Sequence, residues 1–129
     1  LLYEDGQIIR EFIHAEDVAE AFILGLNSAA NNQIFNIGSG EKISLSSLAE
    51  KLIKVFNSKT EIQVIQKSRK GDIRHFYSDI SKIKKILGFY PRHNLEDELN
   101  IFAKSLENTS ITDKYNIAEK ELTKRGLFK

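Results

Sequence analysis

The stretch that decides the fold is QIIREFIHAEDVA, residues 7–19, because its pattern changes from that of a strand to that of a helix. Up to His14, β-branched and aromatic residues predominate, which is typical of a β-strand with apolar side chains on both faces. Asp17 opens a predicted helix, in which apolar residues recur at helical spacing, at Val18, Phe22, Gly25, Leu26 and Ala29. A strand that leads into a helix indicates the α/β or α+β class.

On either side of this stretch, the chain alternates short strands with amphipathic helices. Residues 1–6 read as an extended segment ending in a turn, and residues 34–37 and 61–65 as further short strands. Helices are expected to begin after Ser44, Asp79 and Asn94, with C-terminal ends at Gly88 and Gly126 and a last helix before Gly126. The fold class predicted is α/β, a small mixed domain whose few strands indicate part of a larger body.

The composition excludes several classes of protein. A chain of 129 residues with 41% hydrophobic and 29% charged residues is typical of one globular domain with a buried core. The net charge of +1 argues against a dedicated nucleic-acid-binding protein. Because no apolar run approaches the roughly 20 residues that cross a bilayer, and no signal-peptide pattern opens the chain, we expect a cytoplasmic protein without a membrane partner.

Thiol and metal chemistry is not expected. The absence of cysteine excludes disulfides, thiolate metal sites and cysteine nucleophiles. The three histidines, His14, His75 and His93, lack the i, i+4 spacing of a helical metal pair, so we predict no metal site. His14 lies close to two acidic residues, an arrangement that also suits a catalytic acid–base group, but a capping or packing role at a strand-to-helix junction is the simpler interpretation.

Two segments carry residues that suit an anionic ligand. Residues 69–75, RKGDIRH, place two arginines around a glycine and an aspartate. Arginine binds phosphate through a planar set of donors, glycine permits close backbone approach, and Asp72 could accept hydrogen bonds from ribose hydroxyls. Arg10, in the middle of the predicted strand, is a second candidate. Taken alone, these residues also fit a solvated basic loop and a salt bridge between Arg10 and a carboxylate.

The glycine pair at residues 38–40 does not form a dinucleotide-binding fingerprint. The G-x-G-x-x-G pattern would need a third glycine where Ile43 stands. A tight turn is the simpler interpretation.

Four segments together resemble one family, the NAD-dependent nucleotide-sugar epimerases and dehydratases, which are extended short-chain dehydrogenase/reductases of the UDP-glucose 4-epimerase type. Residues 7–19 resemble the family's R-D-F-I-H-V-x-D-V-A stretch, and residues 34–40, IFNIGSG, its F-N-I-G-S-G segment. Residues 69–75, with DISK at 79–82 and LGFYP at 87–91, resemble R-x-G-D-I-R-H…D-I-S-K…L-G-Y-x-P. Residues 95–99, LEDEL, resemble the L-E-x-G-L helix, with Glu98 where glycine is commoner.

The resemblance implies a division of labour between two halves of an enzyme. In the family, an N-terminal Rossmann half holds NAD(P) and a catalytic Tyr-x-x-x-Lys pair, and the C-terminal half holds the sugar nucleotide. None of the four tyrosines here has lysine four positions later, so the resemblance covers only the C-terminal half. It implies a fragment inactive on its own, with residues 1–107 as a sugar-nucleotide-binding domain and residues 108–129 as a helical extension, and with no catalytic or cofactor-binding residues.

The resemblance also implies roles for individual residues. Arg10 and Arg69 stand where the family binds the diphosphate, and Asp72 where a carboxylate binds the ribose hydroxyls. Tyr3 stands where many members place an aromatic ring against the base, and Phe12 where some members have tyrosine. The expected ligand is a nucleoside-diphosphate sugar, and the expected full enzyme is a homodimeric epimerase. A 4,6-dehydratase, a stand-alone nucleotide-binding module and a purely structural domain remain alternatives.

Overall fold

The computed structural model describes residues 1–107, 109–110 and 112–127. Its helices are α1 (Ala15–Leu26), α2 (Leu45–Val55), α3 (Ser81–Leu87), α4 (Leu95–Leu106) and α5 (Tyr115–Lys124). Its strands are β1 (Leu2–Tyr3), β2 (Ile9–Arg10), β3 (Ile43–Ser44) and β4 (Val64–Ile65). This is the small mixed α/β fold that the sequence predicts.

The strands form two small sheets. In one, β1 pairs with β4 in parallel, with Tyr3 opposite Ile65. In the other, β2 pairs with β3 antiparallel, with Arg10 opposite Ile43. On its other side, Ile9 forms a parallel bridge with His75. This bridge attaches the basic loop, residues 69–75, directly beside Arg10.

The predicted strands are longer than the observed ones, and one prediction is wrong. The strand predicted over residues 7–14 is observed only at Ile9–Arg10. The strand predicted over residues 61–65 is observed only at Val64–Ile65. Residues 34–37 are not a strand, and Ile34 is 86% exposed rather than buried. A strand requires a hydrogen-bonded neighbour, and within the described residues this segment has no strand paired with it.

The helix ends follow local capping chemistry. Ser44 and Asn94 accept hydrogen bonds from the backbone N–H groups of Ser47 and Asp97, as N-cap residues do, which confirms the two predicted starts. Gly88 ends α3 in the left-handed conformation, at φ +66°, also as predicted.

Three other predicted helix ends are displaced. Asp79, the predicted cap, accepts the N–H of Ser81 at 2.9 Å, but Ile80 is the residue that precedes α3, so Asp79 lies one residue before the observed cap position. Helix α1 begins at Ala15 rather than at Asp17, because the His14 ring caps it by accepting the N–H of Glu16. It ends at Leu26, before Ala29, the last position of the predicted helical pattern.

The core lies where α1, α3 and the segment after α3 meet. It consists of four buried residues, Ala21, Ile80, Ile83 and Phe89. Two residues of the predicted apolar face of α1 stay exposed, Phe22 at 63% and Leu26 at 84%. They line an apolar groove of about 300 Å³ along α1. In the described part of the chain, none of the helices has the length and hydrophobicity required to cross a membrane.

Candidate functional site

Arg10 is the last residue of β2, and its guanidinium group contacts backbone carbonyl groups and a carboxylate. Its Nη1 atom donates to the carbonyl oxygens of Ile9 and Arg74, at 2.8 and 3.3 Å. Its Nη2 atom lies 3.3 Å from Oδ1 of Asp72. The side chain is half-buried, at 24% exposure, so the guanidinium group is oriented by its surroundings. Of the two interpretations that the sequence left open, the structure contains the salt bridge, and the role in anion binding stays a prediction.

Asp72 lies between Arg10 and Arg69. Its Oδ2 atom is 3.7 Å from Nε of Arg69, while its Oδ1 atom faces Arg10. A turn produces this arrangement, because the Asp72 N–H donates to the Arg69 carbonyl at 3.1 Å and Gly71 adopts φ +89°. The carboxylate therefore occupies a position between two guanidinium groups, as an anionic ligand would.

Tyr3 completes this group on the side of β1. The guanidinium carbon of Arg69 lies 4.9 Å from the centre of the Tyr3 ring, within the range of a cation–π interaction. Four of the five predicted site residues thus meet, although they come from distant parts of the chain. We call Tyr3, Arg10, Arg69 and Asp72 the arginine cluster.

The fifth predicted residue, Phe12, lies in another groove. Phe12 is 43% exposed, and the groove has a volume of about 430 Å³. The other lining residues come from the segment 39–51 and from residues 93–96. The prediction that Phe12 belongs to the same site as the arginines therefore has no support in the geometry.

Arg74, the second arginine of the RKGDIRH segment, lies outside the arginine cluster and pairs with other residues. Arg74 forms salt bridges with Glu4, at 2.7 Å, and with Asp5. The hydrogen bond to Asp5 is the main reason why the pKa of Arg74 is raised and that of Asp5 is lowered. Arg74 therefore attaches the end of the basic loop to the turn after β1.

The glycines at 38 and 40 surround the carboxylate of Glu11. Glu11 accepts the N–H of Gly40 at 2.6 Å and the N–H of Ser78 at 2.7 Å. A Cβ atom on Gly38 would lie 2.6 Å from the same carboxylate, so a larger residue here would displace the Glu11 side chain from these hydrogen bonds. Since the Gly40 N–H serves Glu11, and α2 begins only at Leu45, this segment does not fit the pyrophosphate of a dinucleotide.

A buried carboxylate near α1 was not anticipated from the sequence. Asp17, 3% exposed, accepts the backbone N–H groups of Arg92 and His93 and contacts Nδ1 of His93 at 3.0 Å. Burial raises the pKa of Asp17, but these hydrogen bonds outweigh burial, and the net pKa is lowered. The hydrogen bond to Asp17 is the main cause that raises the pKa of His93.

The same region brings together groups that could in principle hold a metal ion. Ligand atoms of His14, Glu16 and His93 lie within 4.8 Å of one another. However, His14 uses the lone pair of Nδ1 to cap α1, and its ring stacks on that of His93 with centroids 4.1 Å apart. Its Nε2 atom faces Glu98 at 3.3 Å. These contacts favour a structural role, in agreement with the capping interpretation of His14.

The fold defines the class of protein, because solved nucleotide-sugar epimerases of the extended short-chain dehydrogenase/reductase class contain a body of the same fold. A solved UDP-glucose 4-epimerase from Thermotoga maritima with UDP-glucose superposes with a TM-score of 0.75 at 28% identity, over 84% of this chain and 35% of that one. The solved MoeE5, in complex with UDP-glucuronic acid and NAD, superposes with a TM-score of 0.69 at 25% identity, over 81% and 36%.

Sequence comparison gives the family. The profile of the GDP-mannose 4,6-dehydratase family matches residues 1–101, and the chain belongs to this family. The dTDP-L-rhamnose 4-epimerase of Burkholderia thailandensis is 36% identical over 96 residues, which are 74% of this chain and 26% of the relative. The matched part of the chain thus spans about a quarter of the length of this epimerase and about a third of the solved Thermotoga maritima enzyme.

Proposed function

We propose that this chain is the substrate-binding part of an NAD-dependent nucleotide-sugar epimerase. In this proposal, residues 1–107 form the sugar-nucleotide-binding domain and residues 108–129 a C-terminal helical extension. NAD(P) and the catalytic Tyr-x-x-x-Lys pair belong to an N-terminal Rossmann half, where the cofactor accepts and returns a hydride. The chain contributes binding and orientation, is inactive alone, and works within a homodimeric enzyme.

The observation that carries the proposal is the arginine cluster itself. Two guanidinium groups offer paired donors for a diphosphate, and an aromatic ring offers a face to a base. A carboxylate accepts hydrogen bonds from the two hydroxyls of a ribose. A nucleoside diphosphate contains all three of these chemical groups, which explains why residues 3, 10, 69 and 72 would need to meet.

The ion pairs in the cluster indicate how a ligand would enter. Asp72 lies 3.3 Å from Arg10 and 3.7 Å from Arg69, between two positive charges. A diphosphate, which carries more negative charge than one carboxylate, would compete with Asp72 for both arginines. Asp72 would then turn toward the ribose. The two arginines and one carboxylate leave an excess positive charge, which favours an anion.

The exposed apolar surface supports the part of the proposal in which a Rossmann half packs against this chain. Phe22 and Leu26 line the groove along α1. In the segment 34–37, which follows α1 in the chain, Ile34 is also exposed. Contiguous apolar surface of this kind is typical of a contact surface. A Rossmann half that packs here would cover α1 and would offer residues 34–37 a neighbouring strand.

A 4,6-dehydratase is a second candidate, because the matching family profile carries that description. The two activities share a keto sugar formed by hydride transfer and differ in the product. An epimerase returns the hydride to the other face and yields an isomer of the same mass. A dehydratase releases one water molecule.

The coding DNA upstream of Leu1 gives the first test. We expect an in-frame Rossmann half with a glycine fingerprint and a Tyr-x-x-x-Lys pair. The full protein, incubated with UDP- and dTDP-hexoses and NAD, should then yield a product of unchanged mass with one inverted carbon, detected by mass spectrometry and NMR. Loss of water would identify a dehydratase instead.

Other results would favour the remaining alternatives. A start codon immediately before Leu1, with UDP or dTDP binding by the chain itself, would indicate a stand-alone binding module. Absence of nucleotide binding by the full protein, with no effect of substitutions at Arg10 and Arg69, would indicate a structural domain.

A further inference from the structure

Helix α5 contacts the strand and loop that carry the arginine cluster, although the family profile ends before this helix, at residue 101. Nζ of Lys67 lies 2.9 Å from Oε1 of Glu119 on α5. The backbone N–H of Lys70 donates to the carbonyl of Leu127, just after α5, at 2.8 Å. These two contacts flank Arg69, so α5 restrains the backbone on both sides of that residue.

The same helix contacts the aromatic member of the cluster. The hydroxyl groups of Tyr3 and Tyr115 lie 3.3 Å apart, within hydrogen-bond range. This contact is the main cause that raises the pKa of Tyr115 to about 12. The Tyr3 ring therefore has Arg69 against its face and Tyr115 at its hydroxyl.

The restraint from α5 matters because residues 69–72 are exposed and make few packing contacts of their own. Gly71 adopts φ +89°, and the space around it is open. Arg69 and Asp72 are half-exposed, with side chains 46% and 31% accessible. Without an external restraint, the positions of Arg69 and Asp72 would vary, and ordering them would weaken ligand binding.

We propose that α5 orders the base end of the nucleotide site, with Tyr115 as a positioning residue that fixes the Tyr3 ring. This inference rests on the proposed function, in which Tyr3 faces the base. It assigns to residues 115–127, which lie beyond the region matched by the family profile, a part in nucleotide binding.

The first measurement tests the α5 contact without any ligand. Tyrosine labelled at Cζ is titrated by NMR in the 129-residue chain and in its Tyr3→Phe variant. We expect the pKa of Tyr115 to be near 12 in the unmodified chain and to fall toward the ordinary value of 10 when its partner hydroxyl is removed. An unchanged value would overturn the contact and the inference with it.

The second measurement separates the base from the phosphates. Dissociation constants for UDP, dTDP and inorganic pyrophosphate are determined by isothermal titration calorimetry for the full enzyme that contains this chain and for its Tyr115→Phe variant. The control is Glu121→Gln, an exposed change on α5, where Glu121 forms an ion pair with Arg125 four residues later. Loss of one neutral hydrogen bond predicts UDP and dTDP binding about 2- to 10-fold weaker in Tyr115→Phe, and unchanged pyrophosphate binding.

Each result decides between distinct conclusions. If Tyr115→Phe binds UDP and dTDP as tightly as the unmodified enzyme, the inference is wrong and the proposed function stands. If pyrophosphate binding weakens equally, Tyr115 supports the loop in general and is not a positioning residue for the base. If the full enzyme binds none of the three ligands, the proposed function fails and the inference fails with it, even where the tyrosine titration shows α5 in place.

Discussion

Replacement of Arg69 by alanine gives the sharpest test of the arginine cluster. A charge-assisted hydrogen bond contributes about 1.5–3 kcal/mol, and each 1.4 kcal/mol corresponds to about a tenfold change in affinity. Sugar-nucleotide binding by the full enzyme should therefore weaken about 10- to 100-fold. The lower end is expected, because the Arg69 side chain is 46% exposed and must first leave Asp72. NAD affinity should not change, since the cofactor is assigned to the other half.

Isothermal titration calorimetry with the sugar nucleotide and with NAD measures both effects. The control is Lys70→Ala, which removes the same charge from the adjacent position. Arg69→Lys keeps the charge but loses the planar pair of donors, so it should fall between the unmodified enzyme and Arg69→Ala. Unchanged substrate binding in Arg69→Ala would refute the assignment. An equal loss in Lys70→Ala would show that only the general positive field matters.

Three further predictions concern stability. Asp17→Ala leaves two buried N–H groups without their acceptor and should lower the free energy of unfolding by about 1–3 kcal/mol in urea titrations, whereas Glu16→Gln, on an exposed neighbour, should have little effect. The pKa of His93 is higher in the folded state than its value of about 6.5 in the unfolded state. The ion pair of protonated His93 therefore stabilises the fold fully below about pH 6.5, and this contribution decreases as the pH rises through the pKa of the folded state. The stability difference between the unmodified chain and His93→Asn should therefore shrink from pH 6 toward pH 9; a constant difference would contradict this. Glu11→Gln keeps the size of the side chain but weakens two charge-assisted hydrogen bonds, and a melting temperature equal to that of the unmodified chain would show that they contribute nothing.

Local chemistry made the helices predictable. The caps at Ser44 and Asn94 use a hydrogen bond to a residue three positions away, so the sequence contains both partners within one turn. Gly88 is similar, because a left-handed residue after an apolar stripe requires no distant partner. Where the cap is an unusual residue, as with the His14 ring before α1, the predicted start is displaced.

Contacts between residues that are far apart in the sequence could not be predicted in the same way. The hydrogen bonds of Asp17 join residues 75 and 76 positions apart, and nothing in the local pattern around His93 signals them. The strand predicted at residues 34–37 has suitable residues, but a strand also depends on a neighbour, which the described residues do not supply. The members of the arginine cluster were likewise named through the family resemblance, since spacing alone does not bring residue 10 next to residue 72.

The two arginines of the RKGDIRH segment show how one short motif can serve both structure and binding. Arg74 is committed to Glu4 and Asp5, and this attaches the end of the loop to the turn that follows Tyr3. At the other end, Lys67 and the Lys70 backbone are attached to α5. Arg69 and Asp72 lie between these attachments, and within the described residues their ion pairs join them to each other and to Arg10. A ligand that replaces those contacts would disturb none of the attachments, so the loop can exchange Asp72 for a diphosphate while its ends stay fixed.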